Sequence, residues 1–172
     1  AGHARRGRHR IRADQGSGVQ QASRAFLMFV LDTNVVSELR KAQSGKADAR
    51  VVAWARSVPH SSLFLSVISI LELEMGVLQV ERRDKSQGAI LRAWLESHVL
   101  PAFHGRVLPV DTGVAQCCAR LHVPDPRAER DALIAASALV HGMTVVTRNT
   151  GDFKPTGVLL LNPWESRAGS AQ

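Results

Sequence analysis

The 172-residue sequence has only two cysteines, and they are neighbours, Cys117 and Cys118. Adjacent thiols offer no zinc-ligand spacing and poor geometry for a structural disulfide, so neither a zinc fold nor a disulfide scaffold is indicated. They read as buried or half-buried thiols in a reducing cytosol. Seven histidines show no H-x-x-x-H spacing and receive no metal role. No apolar run approaches the roughly 20 residues that span a bilayer, which argues against a membrane-spanning chain and for a cytoplasmic one. No internal repeat is present.

Charge is abundant but unevenly placed. The formal charge is +7, and residues 1–27 supply +5 of it through Arg5, Arg6, Arg8, Arg10, Arg12 and Arg24 against Asp14. Residues 28–172 keep only +2, so the excess is local. The arm 1–27 is rich in Arg, Gly, Gln and Ser without periodicity and reads as disordered. It is either a basic contact for nucleic acid or a non-native extension ahead of Met28. Residues 28–166 are long enough for one domain with a real core, and 167–172 form a short tail.

From Met28 onward strand and helix patterns alternate. Short apolar runs predict strands at 29–32 (FVLD), 63–66 (LFLS), 106–110, 144–147 (TVVT) and 158–161 (VLLL). Helices are expected over Thr33–Lys41, from a cap at Asp48 with Val51, Val52, Ala55 and Val58 on one face, and from about Ile68 to Arg82. Another covers 84–100 and ends at Pro101. Asp111 caps the helix that carries the cysteines, and Asp125-Pro126 opens one that runs through His141 to Gly142. Strands separated by helices predict an α/β fold with a parallel sheet and right-handed crossovers.

Acidic residues fall where such a fold gathers its ligands, at the carboxyl ends of the strands. Asp32 closes the first strand, Glu72 lies near the start of a long apolar helix, and Asp131 precedes the small-residue stretch ALIAASALV. Each has an ordinary alternative. Asp32 is a good helix N-cap, and Ser69-Ile70-Leu71-Glu72 fits a capping box unless the helix begins earlier. Glu74 points about 200° away from Glu72 and is expected to face water. Asp131, inside a helix opened at Asp125, is not needed as a cap and belongs at the rim. After the fourth strand, Thr147 and Asn149 are neutral oxygen donors and Asp152 adds a carboxylate, although Asn, Gly and Asp also make ordinary turns. Carboxylates gathered together repel unless something positive neutralises them. With oxygen ligands only, that partner is Mg²⁺ or Mn²⁺ rather than zinc. Phosphodiester hydrolysis is the reaction that most needs such a cluster.

Several blocks carry a family resemblance. LDTNVVSEL, SVISILELEMG and RDALIAASALVHGMTVVTRNTGDF resemble the three signature blocks of PIN-domain ribonucleases. More narrowly the chain is similar to VapC toxins of type II toxin–antitoxin pairs, in their FitB-like branch, through ARVVAWARSV, HVLPAFHGRVLPVD and the closing LNPW. The resemblance covers about 29–165. It implies a three-layer α/β/α sandwich with a Rossmann-like sheet that cleaves single-stranded or structured RNA, with tRNA or rRNA as targets. It also implies Mg²⁺, with Mn²⁺ as a substitute, held by three or four acids. By motif position Asp32, Glu72 and Asp131 match the first three, with Asp32 and Asp131 as principal ligands and Glu72 and Asp152 as further ones. Where FitB has an aspartate after its Thr-Arg pair, this chain has Asn149, so a second ion would be held more weakly. Thr147 would orient water or phosphate, and Arg130 and Arg148 are candidate phosphate contacts by charge alone. A VapB-type antitoxin is implied as partner, its tail covering the acids, together with a homodimer. For the latter, Val51, Val52, Trp54 and Ala55 offer a surface that core packing explains equally well.

Two other classes remain to be weighed. Phosphotransferases of the HAD or receiver type also place aspartates at strand ends, but Asp32-Thr33-Asn34 lacks the Asp-x-Asp of the former. The acidic pair and late lysine of the latter are not evident. A catalytically weak module that binds RNA or antitoxin without turnover would account for Asn149.

Overall fold

The computed structural model describes residues 27–165. The expected arm and tail, apart from Leu27, lie outside the described residues. Five parallel strands form one sheet in the order β3-β2-β1-β4-β5. They are β1 (Phe29–Leu31), β2 (Leu63–Ser66), β3 (Val107–Leu108), β4 (Thr144–Val146) and β5 (Leu160–Leu161). Register runs Phe29 opposite Leu63 on one side and Phe29 opposite Thr144 on the other. The expected α/β parallel fold is therefore observed, with shorter outer strands than the apolar runs suggested.

Between the strands lie α1 (Thr33–Arg40), α2 (Ala49–Ser57), α3 (Val67–Arg83), α4 (Lys85–Trp94), α5 (Thr112–Leu121), α6 (Glu129–Val140) and the single turn α7 (Thr150–Phe153). Strand side chains alternate between two faces. Phe29, Leu31, Leu65 and Val146 join Val35, Val51, Leu73 and Val77 of α1 to α3 and Leu95 just after α4. On the other face Val30 and Val145 meet Ile134, Ala135 and Ala138 of α6. The alanines of α6 are fully buried, and Ala132 and Ala136 also receive Val114 and Cys118 of α5. Small side chains let α6 lie close to the sheet, which sets Asp131 at the sheet's rim.

Two local expectations change. The helix expected from Asp125 begins only at Glu129. Arg127 gives its backbone N–H to His122 Nδ1 (3.1 Å) and its Nε–H to the Leu121 carbonyl (2.9 Å), which turns the chain around the end of α5 instead of starting a helix. Pro101 does not stop α4. A wider π-turn over Leu95–Val99 carries the helix into a last turn, Leu100–Ala102, and makes room for the proline ring against the preceding turn. The α2 face goes to the core: Val51 is buried, and Trp54 packs edge-on against Phe29 with ring centroids 5.5 Å apart.

Candidate functional site

Strand order reverses at β1, which has β2 on one side and β4 on the other. In open α/β sheets that reversal opens a crevice at the strands' carboxyl ends. Asp32 leaves β1 there and Thr147 leaves β4. The two are joined directly, the Thr147 hydroxyl donating to Asp32 Oδ2 at 2.7 Å. The backbone braces this junction, with Asp32 N–H bonded to the Val146 carbonyl at 2.9 Å.

Asp32 caps a helix at the same rim. Its Oδ1 accepts the Thr33 N–H at 2.8 Å, capping α1, and its Oδ2 accepts the Asn34 side-chain amide at 2.8 Å. The side chain is 6 % exposed. Burial pushes its carboxyl above the ordinary range, and the nearby Glu72 charge adds to this against the pull of the Thr147, Thr33 and Asn34 bonds. Thr147 is saturated: its hydroxyl oxygen also accepts N–H groups from Asn149 (2.9 Å) and Asn34 (3.2 Å).

Glu72 is not a capping-box residue. Helix α3 starts at Val67 under a Ser66 cap, whose hydroxyl accepts the Ile68 N–H at 3.2 Å. Glu72 thus lies in the second turn. Ser69, one turn earlier on the same face, donates its hydroxyl to the Leu31 carbonyl at 3.4 Å and holds that face against the end of β1. The Thr33 hydroxyl then donates to Glu72 Oε2. Glu72 Oε1 has Arg130 at 3.8 Å, a loose pair with an exposed arginine. Thr33 and Asn34 are the residues that sequence reasoning passed over. They lie inside the LDTN block, but their partners are distant in the chain.

Asp131 occupies the first turn of α6, with Glu129. Its carboxyl is pushed up by burial first, then by the charges of Asp32, Asp152 and Glu72. The four acids therefore share one electrostatic neighbourhood. Asp152 is on α7, fixed beside the buried Phe153. Asn149 precedes that turn with an exposed side chain that makes no cap bond.

Among the described residues, no group of three or more His, Cys, Asp or Glu side chains is drawn in tightly enough to cage an ion. The donor chemistry nevertheless fits a hard divalent cation. All the acids are oxygen donors, two are forced toward the neutral form by burial and mutual repulsion, and Mg²⁺ characteristically keeps several waters while taking one or two carboxylates. A cleft of about 860 Å³ lies elsewhere, between the end of α1 and α4, and none of the four acids lines it.

Comparison with known proteins gives a consistent answer. The PIN-domain model matches residues 29–158. VapC ribonuclease Y4jK of Sinorhizobium fredii is 38 % identical over 143 residues, covering 80 % of this chain and 99 % of that one. Toxin FitB of Neisseria gonorrhoeae is 39 % identical over 142 residues, with 80 % and 99 % covered. Among solved structures, the crystal structure of FitAcB from the same organism superposes with a TM-score of 0.73 at 37 % identity, covering 81 % of this chain and all of that one.

Proposed function

Since this chain belongs to the PIN-domain family, in the group of VapC and FitB toxins, we propose that it is a divalent-metal-dependent endoribonuclease toxin restrained by an antitoxin. The observation that carries this reading is the acid pocket at the strand reversal, where the Asp131 carboxyl feels three other acid charges. Among the described residues, the one cation paired with them is the exposed Arg130, 3.8 Å from Glu72.

We assign Asp32 and Asp131 as the principal ligands of Mg²⁺ or Mn²⁺, with Glu72 and Asp152 completing the site. Once bound, such an ion polarises the phosphoryl oxygen and lowers the pKa of an attacking water. The chain itself supplies positioning. Thr33, Asn34 and Thr147 fix both oxygens of Asp32, and Thr33 also orients Glu72. We read Thr147 as a residue that holds Asp32, since its hydrogen and its acceptor sites are committed within the protein. Asn149 keeps the β4–α7 turn in place through its N–H and adds no charge.

Besides a tail over the acids, the antitoxin would fill the cleft beside α4. Leu39, Trp94 and Phe103 give it an apolar floor, and Arg40, Lys41 and Lys46 a basic rim, which suits an acidic amphipathic segment. A homodimer would use the outer face of α3, where Val67, Leu71 and Leu78 are exposed at helical spacing beside Glu72. Light scattering on wild type and Leu71→Glu tests this: a dimer that survives the substitution removes that face from consideration.

The deciding experiment is cleavage of total bacterial RNA, tRNA and rRNA included, with Mg²⁺, Mn²⁺ or EDTA and an Asp32→Ala control. Discrete fragments that need both metal and Asp32 are expected. Folded, antitoxin-free protein that cuts nothing under any metal would instead favour a module that binds RNA or antitoxin without turnover. The Asp152 charge at Asp131 speaks for the enzyme, because it gives the pocket a fourth carboxylate despite Asn149.

A further inference from the structure

Arg148 stands one residue beyond Thr147, on the rim that carries the acid pocket, and it is exposed. An arginine beside several carboxylates ordinarily swings in to pair with one of them. Here it does not: none of the ion pairs among the described residues includes Arg148, whereas Arg130 reaches Glu72 and Arg92 binds acids of its own. Instead the guanidinium lies over the ring of Trp164, 5.4 Å from its centroid. That ring is itself fixed. Trp164 is buried in the core cluster, and its backbone N–H is bonded to Asn162 Oδ1 at 3.0 Å. Arg148 is held at its other end as well, since its backbone N–H donates to Asn34 Oδ1 at 3.3 Å, the same Asn34 whose amide holds Asp32.

Stacking on an aromatic face leaves the edge of a guanidinium free to donate hydrogen bonds, and its planar fork matches the paired oxygens of a phosphate. The position is also suitable. Arg148 is adjacent in the chain to a residue bonded to Asp32, yet its guanidinium lies over Trp164 and pairs with none of the acids. A charge placed there neither cancels the carboxylates nor competes for their ion.

We propose that Arg148, held against Trp164, receives the phosphate neighbouring the scissile phosphodiester, so that the substrate strand runs from the acid pocket across the β4–α7 turn toward Trp164. Arg148 is then a substrate-binding residue and Trp164 its positioning residue. The assignment rests on the nuclease reading above.

The test measures binding of a single-stranded RNA oligonucleotide by fluorescence anisotropy across a salt series. The protein carries Asp131→Asn to prevent turnover. Adding Arg148→Gln should weaken binding about tenfold and reduce the slope of log affinity against log salt by about 0.7, the value for one phosphate contact on a single strand. Arg148→Lys should keep the slope and lose part of the affinity, because charge remains while the stacked fork does not. In the cleaving protein, Arg148→Gln should raise KM and leave kcat within about twofold. A merely structural arginine gives a different result: Arg148→Gln would lower Tm with slope and KM unchanged, and that outcome overturns the proposal. If the Asp131→Asn parent binds RNA normally and only this contact fails, the nuclease reading stands without it. If the parent and the wild type neither bind nor cut RNA, both are overturned.

Discussion

Glu72 and Glu74 are two residues apart on one helix and live in opposite electrostatic worlds. A two-residue step turns a helix by about 200°, so one glutamate faces the sheet's rim and the other faces α4. Glu74 binds Arg92 at 2.6 Å, Glu81 binds it at 3.0 Å, and Glu96 stands at 3.8 Å. The arginine pulls the Glu81 carboxyl below its ordinary range, and the acids raise the Arg92 guanidinium in return. The helices meet closely here because Gly88 faces Glu81, where an added Cβ would come within 2.5 Å of the backbone. At the other end Asp32, Glu72, Asp131 and Asp152 gather, and among the described residues the exposed Arg130 alone pairs with any of them, while Asp32 and Asp131 are driven toward their neutral forms. Acids supplied with an internal cation hold two helices together. Acids left without one raise each other's carboxyls instead.

The comparison breaks most sharply under substitution. Asp131→Asn should reduce RNA cleavage by about 100-fold or more, while Arg92→Leu should leave kcat unchanged and lower Tm by a few degrees. Asp32→Ala should also abolish cleavage, but with an added cost of about 1 kcal/mol for the lost helix cap. Asp131→Asn is therefore the cleaner variant. Equal loss of cleavage in the Arg92 and Asp131 variants would show that the two clusters are not separate in function.

How much of this division was legible beforehand depends on how far each partner lies along the chain. Asp32 and Glu72 could be read because the strand end and the apolar helix around them are local patterns. Asp131 was placed correctly at the rim for a partly wrong reason. Asp125-Pro126 looks like a helix start, but Arg127 is claimed by His122 and Leu121, and Asp131 falls in the first turn instead. Glu74 was expected in water because its arginine is 18 residues away. Thr33 and Asn34 were given no role because they act on Glu72, 39 residues on, and Thr147, 113 residues on. Such partners become visible only once the sheet brings them together.

Metal should sharpen the contrast. An ion that binds only the folded pocket stabilises it by about 2.7 kcal/mol at a free concentration 100 times its Kd. Differential scanning should show Mg²⁺ and Mn²⁺ raising Tm in wild type and Arg92→Leu, and hardly at all in Asp131→Asn. The same Tm gain in all three would move the ion away from the pocket.

Protons should separate the clusters by sign. Asp32 and Asp131 have raised carboxyls in the folded state, so the fold holds protons that the unfolded chain releases. Their contribution favours folding fully below the unfolded value near 3.8 and is lost as pH rises through the higher folded value. Glu81 behaves oppositely: its carboxyl is lowered from 4.5, so its contribution is present above that value and lost as pH falls through the folded one. In metal-free protein at neutral pH, Asp131→Asn should therefore raise Tm by a few degrees, with the gain vanishing in acid. Glu81→Gln should lower it. A fall in Tm for Asp131→Asn at neutral pH would mean that the carboxylate is already compensated.

The smallest effect lies within the β4–α7 turn. Asp152 acts on Asp131 through space, whereas the Asn149 side chain is exposed and makes no cap bond. Charge removed at 152 should matter more than charge added at 149. Asp152→Asn is expected to weaken Mn²⁺ binding several-fold, as removal of a supporting carboxylate commonly does. Asn149→Asp should tighten it only slightly and lower the metal-free Tm through added repulsion. Isothermal titration of Mn²⁺ into both variants reads this directly. If Asn149→Asp gains more than Asp152→Asn loses, position 149 is the true fourth corner of the pocket, and its neutral residue is what limits the second ion.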